Sequence, residues 1–152
     1  LRHNENIFIG GHPHMRRILS LGLALGLATV LAGCATDRRN QTLTTTLNAY
    51  ASTVRWGDFA SAEQFVDPAM REAHPLTPLE LARYQQLKVS EYDDGQGPVS
   101  TAENEVRQVV HIGLVNINTQ AERSVIDRQS WHYDAQKNRW WLTSGLPDVS
   151  GP

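Results

Sequence analysis

A chain of 152 residues, 20% charged and 40% hydrophobic with a formal net charge of −2, has the composition of one ordinary globular domain. That excludes a fibrous or disordered polymer. Such mild acidity carries no electrostatic footprint for nucleic acid, and the single cysteine, Cys34, excludes a disulfide within the chain.

The opening stretch "LRHNENIFIGGHPH" (residues 1–14) fits no targeting pattern and displaces the basic segment Met15-Arg16-Arg17 from the amino terminus. Met15 is therefore the expected start, with residues 1–14 an over-extended reading frame; His12 and His14 then drop out as metal ligands. Ile18 to Val30 is an uncharged run of thirteen residues. As a helix it would span roughly 20 Å, short of a hydrocarbon core about 30 Å thick. A basic start, a short apolar middle and small residues at the end make residues 15–33 a secretory signal peptide. A buried core helix is the alternative, but Gly22, Gly26 and Gly33 would each cost it about 1 kcal/mol, and the run has no polar face.

Leu31-Ala32-Gly33-Cys34 resembles the lipobox of bacterial lipoproteins, in which small residues admit the peptidase and the thiol forms a thioether to lipid. The resemblance implies that Cys34 is acylated and becomes the first mature residue. In that family an aspartate after the cysteine favours inner-membrane retention. Ala35 stands there, which implies the outer membrane, with the domain in the periplasm. Arg2, Arg16, Arg17 and Glu5 fall before Cys34, leaving eleven basic and fifteen acidic residues and a net charge of −4. Anchoring then rests on acyl chains rather than on charge. Residues 34–40 are expected to be the lipidated end and a short tether, and 41–152 one domain.

Within that domain Leu43, Leu47, Tyr50, Ala51 and Val54 recur on one face of a 3.6-residue period, predicting a helix. Gly57 ends it and Asp58 caps a second, whose stripe is Phe59, Ala62, Phe65 and Val66. Asp67-Pro68 starts a further turn through Ala73. Thr77, Pro78 and Glu80 form a capping box with proline at the first helical position.

The period then changes to two. Leu87 and Val89 share a face of a strand that ends in the turn cluster "DDGQGP". Residues 103–119 make a long strand, apolar on both parities, as expected of a central strand covered on both sides. In residues 122–134, Val125, Asp127, Gln129, Trp131 and Tyr133 alternate with Ile126, Arg128, Ser130 and His132. "DAQKN" is a hairpin loop leading into "NRWWLTS". Adjacent Trp140 and Trp141 must then point to opposite faces. The fold class is α+β, with N-terminal helices packed on a curved antiparallel sheet of about four strands.

This order, with "LNAYASTVRWGDFASAEQFVDP" at the front and "SWHYDAQKNRWWL" at the back, resembles the nuclear transport factor two-like superfamily, which includes ketosteroid isomerases and SnoaL-like proteins. The resemblance implies a cystatin-like cone, a curved sheet around a long helix, with a pocket between them where enzymes of the superfamily place an aspartate, histidine or tyrosine. A tyrosine plus two aspartates in the ketosteroid isomerase arrangement cannot be matched, so no catalytic residues carry over.

Pocket candidates are Tyr50, Trp56, His111, Asp127 and Trp131; acid–base candidates are His111, Asp127 and Tyr50. A His111–Asp127 dyad would let the carboxylate orient the imidazole for proton abstraction. Against it, His111 reads more simply as a satisfied strand histidine, and Asp127 as an exposed strand residue paired with Arg128 or Arg107. His74, His111 and His132 have no metal-ligand spacing, Glu91, Asp93 and Asp94 are too few for calcium, and no cofactor motif is present. With no coherent catalytic set, the expectation is a membrane-anchored periplasmic lipoprotein acting as a binding or assembly module. Its partners would be the membrane through lipidated Cys34 and an envelope protein or a second copy in a homodimer, not nucleic acid. The alternative is a small-ligand carrier or an acid–base enzyme of isomerase or dehydratase type.

Overall fold

The computed structural model describes residues 36–56 and 58–150. The expectations for residues 1–14, the signal peptide, Cys34 and Gly57 lie outside the described residues. The chain divides into two compact units, Leu1–Arg38 and Arg39–Pro152. The second contains the whole hydrophobic core, every strand and almost all of the described helix.

Residues 36–56 form the first helix, α1; the stretch 36–40, expected as tether, is helical. Tyr50 and Val54 are buried from it, and Leu43 and Leu47 pack against the same core, as the period of 3.6 requires. Its threonines are accommodated locally: the Thr44, Thr45 and Thr53 hydroxyls donate to carbonyls four residues back. Short elements follow. Phe59–Ala62 (α2) is capped by Asp58, whose carboxylate accepts from the Ser61 N–H, and a 3-10 turn spans Glu63–Phe65. Pro68–Ala73 (α3) is capped by Asp67. Pro78–Gln85 (α4) carries the reciprocal Thr77–Glu80 capping box, and hydrogen bonds from Thr77 hold the Glu80 carboxyl below the usual range.

Five antiparallel strands then make a strongly curled half-barrel: Leu87–Asp93 (β1), Val99–Ala102 (β2), Glu105–Asn116 (β3), Glu122–Asp134 (β4) and Arg139–Leu142 (β5). The architecture is α+β, helices followed by a curled sheet. β1 and β2 share one edge of β3, β1 along its second half and β2 along its first; β4 and β5 follow on the other side. A bulge at Ser90 breaks the β1–β3 register opposite Gly113. A Cβ on Gly113 would lie 2.7 Å from Ser90 Oγ and 3.0 Å from Glu91 Cβ, so the close approach that the bulge makes requires glycine.

Asx-type turns close both long hairpins. Asn116 Oδ1 accepts from Asn118 and Thr119 N–H before β4, and Asp134 Oδ1 accepts from Gln136 and Lys137 N–H before β5. Asn138 ends the second loop at φ 49°, a conformation asparagine tolerates. The far edge of β5 is covered: Val66 bridges Leu142 in parallel, and the Asp67 N–H donates to the Leu142 carbonyl.

The core lies between α1 and one face of the sheet. Val106, Val110, Ile112 and Leu114 of β3 and Trp131 of β4 meet Tyr50 and Val54 there. The opposite face of β3 departs from the sequence expectation: Val109 is 48% exposed and His111 is exposed, so this strand is central in the sheet yet covered on one side only. Beyond β5 the chain forms a strap that no periodicity announces. Pro147 and Val149 are buried, the Tyr84 hydroxyl donates to the Pro147 carbonyl over 3.0 Å, and Arg123 donates to the Val149 carbonyl. Among the described residues no helix is long and apolar enough to cross a membrane.

Candidate functional site

Polar residues on the core side of a sheet are the exception that needs a reason. Here Gln108, Asp127 and Gln129 occupy core-facing positions of β3 and β4 at 5%, 7% and 1% exposure. The β3–β4 register sets Gln108 opposite Gln129 and Val110 opposite Asp127, and cross-strand neighbours of this kind touch. Gln129 is the hub. Its amide N–H groups reach Asp127 Oδ2 at 2.7 Å and the Tyr92 hydroxyl at 3.2 Å. Its carbonyl oxygen accepts from Gln108 Nε2 at 2.7 Å and from Trp131 Nε1 at 3.2 Å.

Tyr50 of α1 completes the interior. Its ring meets Trp131 edge-on, centroids 5.2 Å apart, and Phe65 likewise at 5.6 Å. Among the described residues the buried Tyr50 hydroxyl and Gln108 Oε1 have no hydrogen-bond partner. Each such group carries a desolvation cost of about 1–3 kcal/mol.

Burial raises the Asp127 carboxyl to about 6, partly offset by the hydrogen bond from Gln129. Burial raises Tyr50 well above its ordinary value, and the Asp127 charge, Tyr92 and Tyr84 add to it. Tyr92 is pushed up to about 12 by burial against the opposing Gln129 hydrogen bond. Burial also takes Tyr84 to about 12, with the charges of Glu80, Asp148 and Asp127 adding. At neutral pH the tyrosines are therefore protonated, and Asp127 lies close to its titration. A carboxyl tuned so near neutrality, beside protonated phenols, is the combination general acid–base chemistry uses.

Of the residues singled out from sequence, the fold brings Tyr50, Asp127 and Trp131 together and leaves two apart. His111 is opposite Ile126 on the outer face, whereas Asp127 is buried on the inner one. The sheet lies between them and the dyad does not form, because their positions in the register differ by an odd step. Pairing of Asp127 with Arg128 or Arg107 fails for the same reason, since both arginines are on the exposed face. Trp56 is 78% exposed with the Arg55 guanidinium 5.2 Å over its ring; it borders a cleft of about 290 Å³ between the end of α1 and β1, away from the polar cluster. Sequence reasoning missed Gln108, Gln129, Tyr92 and Tyr84. The available signal was parity: Gln129 shares a face with Trp131, so if the tryptophan is core, the amide must be too.

The adjacent tryptophans divide as alternation demands. Trp140 is in the core beside Tyr133, ring centroids 5.2 Å apart, and its indole N–H donates to the Arg39 carbonyl. Trp141 is on the other face beneath the Arg139 guanidinium, 4.1 Å from its centroid.

The class that fold and site define is thus an α+β domain whose curled sheet encloses a filled, partly polar interior. No family model, no curated protein and no solved structure matches the chain.

Proposed function

We propose that this is a periplasmic lipoprotein, anchored in the outer membrane through Cys34, whose cone-like domain acts as a binding or assembly module. The observation that carries the binding role is the contrast in accessibility. The interior, where chemistry would have to occur, is occupied by Trp131, Tyr50 and Gln129, each at most 1% exposed. The outer sheet face meanwhile leaves Val99, Val109 and Ile126 at 48–61% exposure, and exposed apolar groups gathered on one face mark interaction surfaces. The anchor rests on the lipobox-like Leu31–Cys34 and on the apolar run before it. For the anchor, Cys34→Ala is expected to abolish labelling by a fatty-acid analogue and to move the protein out of the membrane fraction; unchanged labelling overturns it. For the module, a photo-crosslinking side chain at position 126 is expected to trap one reproducible envelope partner, and one at position 82 on α4 is not.

A second reading, an acid–base enzyme, is favoured by one observation: the Asp127 carboxyl and the unpartnered Tyr50 hydroxyl share the interior. It requires the strap over residues 145–150 to open. Protection of the interior amides from hydrogen exchange as strong as that of the β3–β4 centre would rule it out.

A further inference from the structure

β1 ends opposite His111 and β2 begins opposite Arg107, so the edge of β3 between them is bordered by the loop 94–98. Gly95 and Gly97 turn that loop at φ 58° and 76°, conformations glycine adopts freely. Between the loop and the strand lies a groove of about 430 Å³, bordered by Val99, Arg107, Val109 and His111. That volume falls within the range of small-molecule sites. Its floor is apolar and wet: Val99 and Val109 are 61% and 48% exposed.

Arg128 is opposite Val109 across the β3–β4 pair, and Arg107 is two residues away on the same face. Among the described residues neither guanidinium has a carboxylate within 4 Å; the ion pair present is Lys137–Asp134. The nearby Asp93 is engaged by the Gly95 N–H at 2.9 Å. Arg107 is opposite Ser130, so the two arginines are diagonal neighbours on one face, within reach of a shared anion. The guanidinium fork matches a phosphate or carboxylate in two-pronged fashion.

We propose that this groove binds a single-chain anionic amphiphile. Arg107 and Arg128 hold its phosphate or carboxylate head, and its tail lies along Val109 and Val99. The assignment rests on the binding-module reading and is independent of the lipid anchor. A groove bounded by a loop and a strand suits a monomeric amphiphile rather than the plane of a bilayer.

The test uses the unit Arg39–Pro152, which holds the whole core. Amide chemical shifts are followed while octyl phosphate is added below its micellar concentration, with n-octanol, inorganic phosphate and phosphatidylglycerol vesicles as separate arms. Octyl phosphate is expected to move the amides of residues 95–99 and 107–111 saturably, leaving 118 and 136 in place. Arg107→Ala and Arg128→Ala should each weaken binding about tenfold, the effect of losing a charged hydrogen bond. Arg83→Ala on α4 should change nothing, and its native spectrum reports a fold intact under arginine loss. Several results would overturn the proposal: no saturable shift, an equal response to octanol or to phosphate alone, or binding confined to vesicles. So would shifts that grow with protein concentration without ligand, since these assign the face to a second copy. If the unit does not fold alone, the same titration is read on the whole protein in phosphatidylcholine nanodiscs. Loss of the anchor would show in fractionation and leave this titration untouched.

Discussion

Alternate residues of β3 and β4 build two surfaces of opposite character from one backbone. Val106, Gln108, Val110 and Ile112 face inward with Asp127, Gln129 and Trp131, all buried; Arg107, Val109 and His111 face outward with Ile126 and Arg128, all exposed. Each surface holds residues that suit the other. Inside, amides and a carboxylate are joined through Gln129, with the Gln108 carbonyl oxygen left over among the described residues. Outside, aliphatic side chains remain in water between arginines that have no carboxylate partner among the described residues. A sheet selected for stability alone would exchange them, so both departures point to function.

The two faces differ most at tryptophan. Trp131→Ala removes a ring that packs on Tyr50 and should cost about 3–5 kcal/mol in urea unfolding. Ile126→Ala on the outer face should stay within about 0.5 kcal/mol. Equal losses would mean the outer face is covered in solution.

Titration separates the faces next. The folded Asp127 carboxyl is raised to about 6 from 3.8. The folded state thus binds this proton more readily, and the group favours folding below its unfolded value. That stability is lost as pH rises through about 6. The carboxylates of Glu80, Asp134 and Asp148, whose values are lowered, act in the opposite sense, so wild type must be compared with Asp127→Asn. From pH 4 to pH 7 the stability difference should move by about 2 kcal/mol in favour of the asparagine variant. A flat difference would place Asp127 in water.

Gly113→Ala sets a methyl against Ser90 and is expected to cost about 1–3 kcal/mol. Ser90→Ala should recover part of that loss, because the closest contact is its Oγ; an additive double mutant would remove the bulge as its cause. The smallest effect is expected at Tyr50→Phe. Deleting a buried hydroxyl without a partner should leave stability unchanged or raise it by about 1 kcal/mol. A loss of that size instead would reveal a bound water or ligand at the hydroxyl.

What the chain discloses before folding is local. The Thr77–Glu80 box, the caps at Asp58 and Asp67 and the loop after Asp134 are settled by neighbours within a few residues, and the alternation of β4 already sorts Asp127 and Trp131 from His132. What it hides is settled across strands. The placement of β1 and β2 on one edge of β3 depends on the bulge against Gly113. The strap of residues 145–150 packs through a proline and a valine that follow no period. Of the interior site Tyr50, Asp127 and Trp131 are legible; Gln129 is not, because an amide in an alternating strand reads as solvent-facing until a partner is known. Both parities of β3 are apolar, so which of them faces water was decided by α1.

The hydrogen bond from Trp140 to the Arg39 carbonyl joins residues separated by 101 positions, and the one from Tyr84 to Pro147 spans 63. Contacts this remote form late and slow the search for the native state. While the chain emerges from a ribosome, α1 exists long before β5 and the strap arrive. Its apolar stripe from Leu43 to Val54 then has nothing of its own to lie against, and through that interval it stays in water.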